Sequence, residues 1–211
     1  FPSTGVQDVG TFLSTPVDGR VGEGWGELNA IVARANAVIF NVPNIAMEDA
    51  VKTRILGEAY FMRGLGHFYL VNLWGNIPLI LKPIEAVNDL FISQAPQADV
   101  WASIISDFKD AQSRLPVTVA AKDIGRATSG AATAMLGKAY LFTQKWAEAA
   151  AEFKKIIDNP GLYQLVANYQ DNFLQEKNNN TESIWELQYQ STANANWGTS
   201  GTANPLRGQA W

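Results

Sequence analysis

Apolar residues recur at three- and four-residue spacing along most of the chain, which is the pattern of amphipathic helices. This spacing predicts a first helix over about Trp25–Asn41, which Pro43 closes. It predicts a second, longer helix over about Met47–Trp74, which Gly75 ends. The regular part of the chain is therefore expected to begin with two long helices.

Three further helices are predicted in the middle of the chain. The third covers about Ala98–Leu115, the fourth follows an N-cap at Ser129 and runs to about Thr143, and the fifth covers Lys145–Asp158. Residues 1–23 lack this periodicity and are rich in Gly, Pro and Thr, so they are expected to be irregular.

The pattern changes towards the end of the chain. Apolar and polar side chains alternate over Ser183–Tyr189, which predicts one β-strand. Residues 190–211 are rich in Asn, Gly, Ser and Thr and are expected to form a loop. We therefore expect a helical scaffold at about 24–160, followed by a strand and loop region at about 161–211.

A short sequence recurs in two of the predicted helices. Residues 65–70 read LGHFYL, and residues 136–141 read LGKAYL. Each copy follows a helix with a tryptophan near its start, Trp25 or Trp101. Such pairs resemble tetratricopeptide hairpins, which bury little surface alone and become stable by stacking. The predicted fold is mainly α: tetratricopeptide-like helical hairpins stacked around a core, with irregular loops and a little β-strand.

The second predicted helix contains glycines at Gly57 and Gly64, which are seven residues apart and so fall on one side of it. A glycine has no Cβ atom, so a neighbouring helix is able to pack closely against that side. This feature favours a central position for the helix in the stack.

Residues 57–80 are apolar enough to raise the question of a transmembrane helix. The segment also carries Glu58, Arg63, His67 and Asn72, and each polar side chain is costly in lipid. A helix that is apolar around most of its circumference is also typical of a protein core. We therefore interpret this segment as a buried core helix.

Composition narrows the range of partners and cofactors. The 211 residues are 47% hydrophobic and carry a net charge of −4, with no run of Lys and Arg, so nucleic acid is not an expected partner. The chain has no Cys and one His, which leaves no Cys or His cluster for a metal. No cofactor is predicted.

The order of several motifs resembles that of the SusD/RagB family. The resemblance extends over roughly residues 24–190. The segments that carry it most clearly are, in chain order, Glu58–Arg63 (EAYFMR), Trp74–Leu79 (WGNIPL), Ala127–Ala132 (ATSGAA), Lys138–Leu141 (KAYL) and Glu182–Tyr189 (ESIWELQY). Against the family pattern, Gly64 and Gly66 replace the usual Ala or larger residue.

Members of that family are nutrient-binding lipoproteins of the outer membrane of Bacteroidetes-type bacteria. The resemblance implies a surface-exposed protein, held by an N-terminal lipid anchor, that captures oligosaccharides and passes them to a SusC-like TonB-dependent transporter. Family members are considerably longer than this chain. We therefore expect one incomplete SusD-like domain over residues 1–211, an N-terminal to middle fragment without the lipid-bearing Cys.

The residue pattern does not indicate an enzyme. His67, the only histidine, is predicted to lie mid-helix among apolar residues, which is typical of a satisfied structural histidine and not of a general base. Asp107 and Asp110 lie at helical spacing and are interpreted as surface or cap residues. Glu58 and Arg63 are expected to hydrogen bond to loop backbone or to neighbouring helices, because five residues separate them on one helix.

Recognition by aromatic residues is the chemistry that remains. Sugars present flat C–H faces that stack on indole rings, and their hydroxyl groups pair with amide, carboxylate or guanidinium groups. Two loop segments combine these side chains. The candidate ligand-binding residues are Trp197, Trp211, Arg207 and Asn196 in the final loop, and Asp18, Arg20 and Trp25 before and at the start of the first helix.

The function expected first is glycan binding in a nutrient uptake system, with oligosaccharide or starch-like polysaccharide as ligand. The first alternative is a RagB-like protein that captures peptides. A second alternative is a tetratricopeptide-type protein-interaction module, which would predict further helical repeats after residue 160. A glycan-cleaving enzyme ranks last, because no acid/base pair is identifiable.

Overall fold

The structure is a computed structural model that describes Thr11, Thr15 and residues 18–188, with the side chains of residues 88 and 90 excepted. Five α-helices form most of the described chain and follow one another as a stack, in which each helix packs mainly on its neighbours in sequence. They are α1 (Gly19–Asn41), α2 (Asp49–Trp74), α3 (Gln97–Arg114), α4 (Ser129–Phe142) and α5 (Trp146–Ile157).

The predicted tetratricopeptide-like stack of hairpins is confirmed, with α2 at its centre. This helix packs against α1 on one side and α3 on the other, so most of its circumference is covered. No helix in the described part of the chain is both long enough and apolar enough to cross a membrane. The buried residues of α2 are Gly57, Ala59, Phe61, Arg63, Gly64, Gly66, His67, Phe68, Leu70 and Val71.

Helix α1 begins six residues earlier than the periodicity predicted. The side chain of Asp18 caps the helix by accepting a hydrogen bond from the backbone N–H of Arg20, 2.9 Å away. Arg20 also forms an ion pair with Glu23 at 2.8 Å, one turn along the helix. Because four glycines interrupt residues 19–26, they concealed the helix from a reading of apolar spacing.

The N-cap of α4 is Thr128, and the prediction of Ser129 was wrong by one residue. The hydroxyl oxygen of Thr128 accepts a hydrogen bond from the backbone N–H of Ala131. Ser129 is the first helical residue, and its own N–H donates to the carbonyl of Pro116. Both side chains are good caps, so the sequence alone could not choose between them.

Close approach of α3 to α2 at the two glycines is confirmed. A Cβ atom added at Gly57 would lie 2.9 Å from the Cβ atom of Arg114, and one at Gly64 would lie 3.0 Å from the Phe108 ring. Gly66 faces the opposite neighbour, because a Cβ atom there would lie 2.8 Å from Val32 of α1. The glycines of α2 therefore allow close packing on both sides.

A buried ion pair joins α2 to α3. Arg63 donates from Nε to one Asp107 oxygen at 2.9 Å and from Nη2 to the other at 2.7 Å. Asp107 is 2% exposed, so its interpretation as a surface or cap residue was wrong. Burial raises the pKa of the Asp107 carboxyl, while the Arg63 guanidinium acts in the opposite direction.

The same arginine extends the polar network to α1 and to a loop. Its Nη1 donates to Asn36 Oδ1 at 3.0 Å and to the backbone carbonyl of Leu81 at 3.2 Å. Asn36 in turn donates to the carbonyl of Ile80 at 2.9 Å. The expectation that Arg63 bonds loop backbone and neighbouring helices is thus confirmed.

Two short strands close the loop that follows α2. β1 (Ile77–Pro78) pairs antiparallel with β2 (Gln94–Ala95), with Ile77 opposite Ala95. Ile77 is fully buried. Pairs this short leave no periodic signal in the sequence, so these strands were not predicted.

The strand predicted at residues 183–189 is not found in its described part, residues 183–188. Instead of pairing with another strand, Trp185 packs its ring on Phe61 of α2 at 5.1 Å and donates from its indole nitrogen to the carbonyl of Gly125. The packing does not follow the alternation, because the adjacent residues Ile184 and Trp185 both pack on the core while Leu187 is 55% exposed. Without a neighbouring strand to pair with, alternation alone does not produce a sheet.

Candidate ligand-binding site

The described structure includes three of the seven predicted ligand-binding residues. Asp18, Arg20 and Trp25 lie together at the amino-terminal end of α1. The other four predicted residues, Trp197, Trp211, Arg207 and Asn196, lie outside the described residues.

Asp18 and Arg20 are held by local contacts at the start of α1. The Asp18 carboxylate caps the helix, and the Arg20 guanidinium forms the ion pair with Glu23. Both residues remain partly exposed. Their charged groups therefore have fixed positions at the surface, as a group that orients a ligand requires.

Trp25 forms an aromatic pair that the sequence did not predict. Its ring lies 5.2 Å from the ring of Trp74, the last residue of α2, in an edge-to-face arrangement with an interplanar angle of 73°. Both rings are partly exposed. Asn29 donates to the carbonyl of Trp25 at 2.9 Å, which places an amide one turn from the pair.

A second aromatic group lies at the same end of the stack. The rings of Trp101 and Phe142 are stacked at 5.8 Å, and Phe68 contacts both of them edge-on, at 5.5 and 5.3 Å. Tyr69, next to Phe68, is 45% exposed, and Phe142 is 50% exposed. Phe68 and Trp74 both belong to the last two turns of α2, so this helix carries part of each group.

We call this surface the aromatic end, formed by Trp25, Trp74, Tyr69, Trp101 and Phe142. Its rings are mounted on helices, so they are positioned by packing and not by a loop. Partly exposed rings, with Asp18 and Arg20 at the start of the helix that carries Trp25, suit a ligand with flat apolar faces and hydroxyl groups. Of these five residues, only Trp25 was among the ligand-binding candidates predicted from the sequence.

His67 does not contribute to this surface. It is fully buried in α2, and neither ring nitrogen has a hydrogen-bonding partner within the described chain, so the expectation of a satisfied histidine was wrong. Burial, together with the nearby charge of Arg63, lowers the pKa of His67 from 6.5 to about 4. The side chain is therefore neutral at physiological pH and shielded from any ligand.

This histidine should make the protein sensitive to acid. The unfolded chain takes up the proton near pH 6.5, whereas the folded protein resists it until about pH 4. The contribution of neutral His67 to the free energy of unfolding is therefore fully present above pH 6.5. It is lost as the pH falls from 6.5 towards 4. We expect the free energy of unfolding to drop by about 2 kcal/mol between pH 7.5 and pH 5, measured by urea denaturation.

The matched control is His67→Leu, an apolar side chain of similar volume. Since His67 is the only histidine, any acid sensitivity left in this variant comes from carboxyl groups. The interpretation is wrong if the variant and the parent lose the same free energy between the two pH values.

A family model described as SusD-like, starch-binding and associating with the outer membrane matches residues 10–141 of the chain. Among curated proteins, a SusD-like protein of Bacteroides ovatus is 32% identical over 193 residues, which cover 85% of this chain and 35% of the relative. The chain spans about a third of the length of the curated relatives it matches.

Solved structures share the fold. A laminarin-binding SusD-like protein superposes with a TM-score of 0.82 at 30% identity, over 88% of this chain and 41% of that protein. A protein solved with a xylogluco-oligosaccharide superposes with a TM-score of 0.73, also at 30% identity, over 85% of this chain and 37% of that one. With the family match covering most of its helices, the chain belongs to the SusD-like family.

Proposed function

We propose that this protein binds oligosaccharides as part of a nutrient uptake system at the bacterial outer membrane. The observation that carries the proposal is the similarity, over 88% of the chain, to a laminarin-binding protein of the same fold. The protein solved with a xylogluco-oligosaccharide supports the same ligand class. The aromatic end supplies the ring faces that such a ligand needs.

The proposal assigns the ligand contacts to two segments. The first segment is the start of α1, with Asp18, Arg20 and Trp25, and the ring of Trp74 beside Trp25 extends its ring surface. The second segment is the final loop, with Trp197, Trp211, Arg207 and Asn196. An indole in each segment would allow a sugar chain to stack at two points, while the charged and amide groups pair with hydroxyl groups.

Delivery to a SusC-like TonB-dependent transporter, and anchoring by lipid at the cell surface, complete the proposal. The family description, which associates these proteins with the outer membrane, supports that placement. The ligand would be bound and released unchanged. The proposed role is therefore that of a binding protein and not of an enzyme.

Calorimetric titration with a panel of plant, host and microbial oligosaccharides tests the proposal. We expect one class of glycan to bind, and the Trp25→Ala variant to bind it about 5- to 10-fold more weakly, because one stacking face worth roughly 1 kcal/mol is lost. Trp25→Phe should retain most of the affinity. The Trp197→Ala/Trp211→Ala variant tests the final loop in the same way.

The control is Tyr169→Ala, which removes an aromatic ring that is 74% exposed and lies beyond α5. It should leave the affinity unchanged. If no glycan releases heat on mixing with a folded sample, the glycan proposal fails, and peptide titrations then test the RagB-like alternative.

A further inference from the structure

A cleft opens between α1 and α2 on the half of the hairpin that lies away from the aromatic end. It has a volume of about 300 Å³. The residues of α1 that line it come from the second half of that helix, and those of α2 come from its first half. They are Ile31, Arg34, Ala35 and Val38 of α1, and Ile55, Glu58, Ala59 and Met62 of α2.

The lining is suited to an apolar side chain and not to a sugar. Six of the eight lining residues are apolar, and the two charged ones are Arg34 and Glu58. A sugar ring buried there would leave most of its hydroxyl groups without partners, which is costly. A cleft of this volume accommodates one large side chain. The cleft therefore differs in chemistry from the aromatic end.

The rim of the cleft carries an excess of positive charge. Glu58 already pairs with Arg54 at 2.8 Å and with Arg126 at 3.0 Å. Arg34 is exposed and has no ion-pair partner among the residues that the structure describes. Arg126 also pairs with Asp123 at 2.9 Å, so three guanidinium groups are set against two carboxylates. Arg34 carries the excess charge, which favours an occupant that brings a carboxylate of its own.

We infer that the cleft is a docking site for an acidic peptide segment of a partner protein, with an aromatic side chain in the cleft and a carboxylate on Arg34. The aromatic body is matched by the apolar lining, and the planar guanidinium suits two-point pairing with a carboxylate. This site is distinct from the proposed glycan site. It lies on the other half of the α1–α2 hairpin, and its lining suits an acidic peptide and not a sugar.

The chain's own final segment is a poorer match. Residues 189–211 contain aromatic side chains at Tyr189, Trp197 and Trp211 but no Asp or Glu, and they include Arg207. This segment brings no acidic side chain to Arg34 and adds a positive charge. Charge complementarity therefore favours a separate acidic segment as the occupant.

The experiment uses a fluorescein-labelled peptide, Gly-Glu-Trp-Glu-Gly, and measures its anisotropy on titration with the 211-residue chain. Two matched peptides replace both Glu residues by Lys, or the Trp by Ala. We expect the acidic Trp peptide to bind and both matched peptides to bind at least fivefold more weakly. Raising the salt to about 0.5 M should weaken binding, because the rim charges are exposed.

Protein variants locate the binding. Arg34→Glu reverses the unpaired charge and should weaken binding at least fivefold, and Val38→Trp should weaken it by filling the cleft from α1. Lys154→Glu is the control, since its side chain is 72% exposed on α5 and distant from the cleft. Circular dichroism of each variant verifies that it is folded. Trp25→Ala should leave peptide binding unchanged, which separates this site from the glycan site.

Three results would overturn the inference. The first is an acidic Trp peptide that does not bind, and the second is binding that Arg34→Glu and Val38→Trp leave unaltered. The third is concentration-dependent dimerisation that Val38→Trp abolishes, measured by sedimentation, because it would assign the cleft to a second copy of the chain.

Discussion

Replacing Arg63 by Met is expected to lower the free energy of unfolding by about 3–5 kcal/mol. The substitution removes both hydrogen bonds to Asp107 and leaves a carboxylate that is 2% exposed without a counter-charge. It also leaves the Asn36 side-chain oxygen and the Leu81 carbonyl without the donor they share. Urea denaturation followed by circular dichroism at pH 7.5 measures the loss.

The double variant Arg63→Met/Asp107→Leu is the control for this explanation. If the cost arises from an unpaired buried charge, removing the second charge should recover a large part of it. A double variant that is as unstable as the sum of the two single variants would show that packing, and not charge, determines the loss.

Replacing Phe61 by Ala should cost a similar amount, about 3–5 kcal/mol, for a different reason. Phe61 is fully buried and packs against Phe108 of α3 at 5.9 Å and against Trp185 at 5.1 Å. Its removal leaves a cavity between two helices and takes away the ring on which Trp185 rests. Residues 183–188 should therefore lose hydrogen-exchange protection beyond the general loss of stability.

Phe40→Ala is the matched control, because Phe40 on α1 is 53% exposed. Its removal should change the free energy of unfolding by less than about 1 kcal/mol. A loss comparable to that of Phe61→Ala would mean that the Phe40 ring is covered by another part of the protein.

The helices of this protein were predictable because their signals are local. The apolar spacing of α2 and the glycines at 57 and 64 indicated a central helix with a closely packed neighbour, and the structure confirms both features. Long periodic segments bury their apolar face whatever the connecting loops do. The first turns of α1 escaped detection because their glycines carry no apolar signal.

The buried polar network was harder to predict, because its partners are distant in sequence. Arg63 and Asp107 are 44 residues apart, and the helical spacing of Asp107 alone suggested a surface or cap position. Only the crossing of α2 and α3 brings them together. The strand predicted at 183–189 failed for the same reason, since pairing depends on a neighbour that a local pattern does not reveal.

The candidate site was likewise predictable only where its residues are close in sequence. A tryptophan at the start of a helix beside Asp and Arg could be identified from the sequence, and Trp25 was identified in this way. Its ring partner Trp74 is 49 positions away and meets it only because α1 and α2 are antiparallel neighbours. The cleft between these helices has no sequence signal, because it is defined by the space that side chains leave open.

The first part of the loop between β1 and β2 is held in place through its backbone carbonyl groups. Buried side chains hold the carbonyl groups of Ile80 and Leu81, and every amino acid provides such a carbonyl. Outward side chains of this loop, such as Val87 and Phe91 at 71% and 81% exposure, are thus under little constraint from folding. Related proteins can therefore differ in the loop's outward side chains while its anchored end stays in the same place.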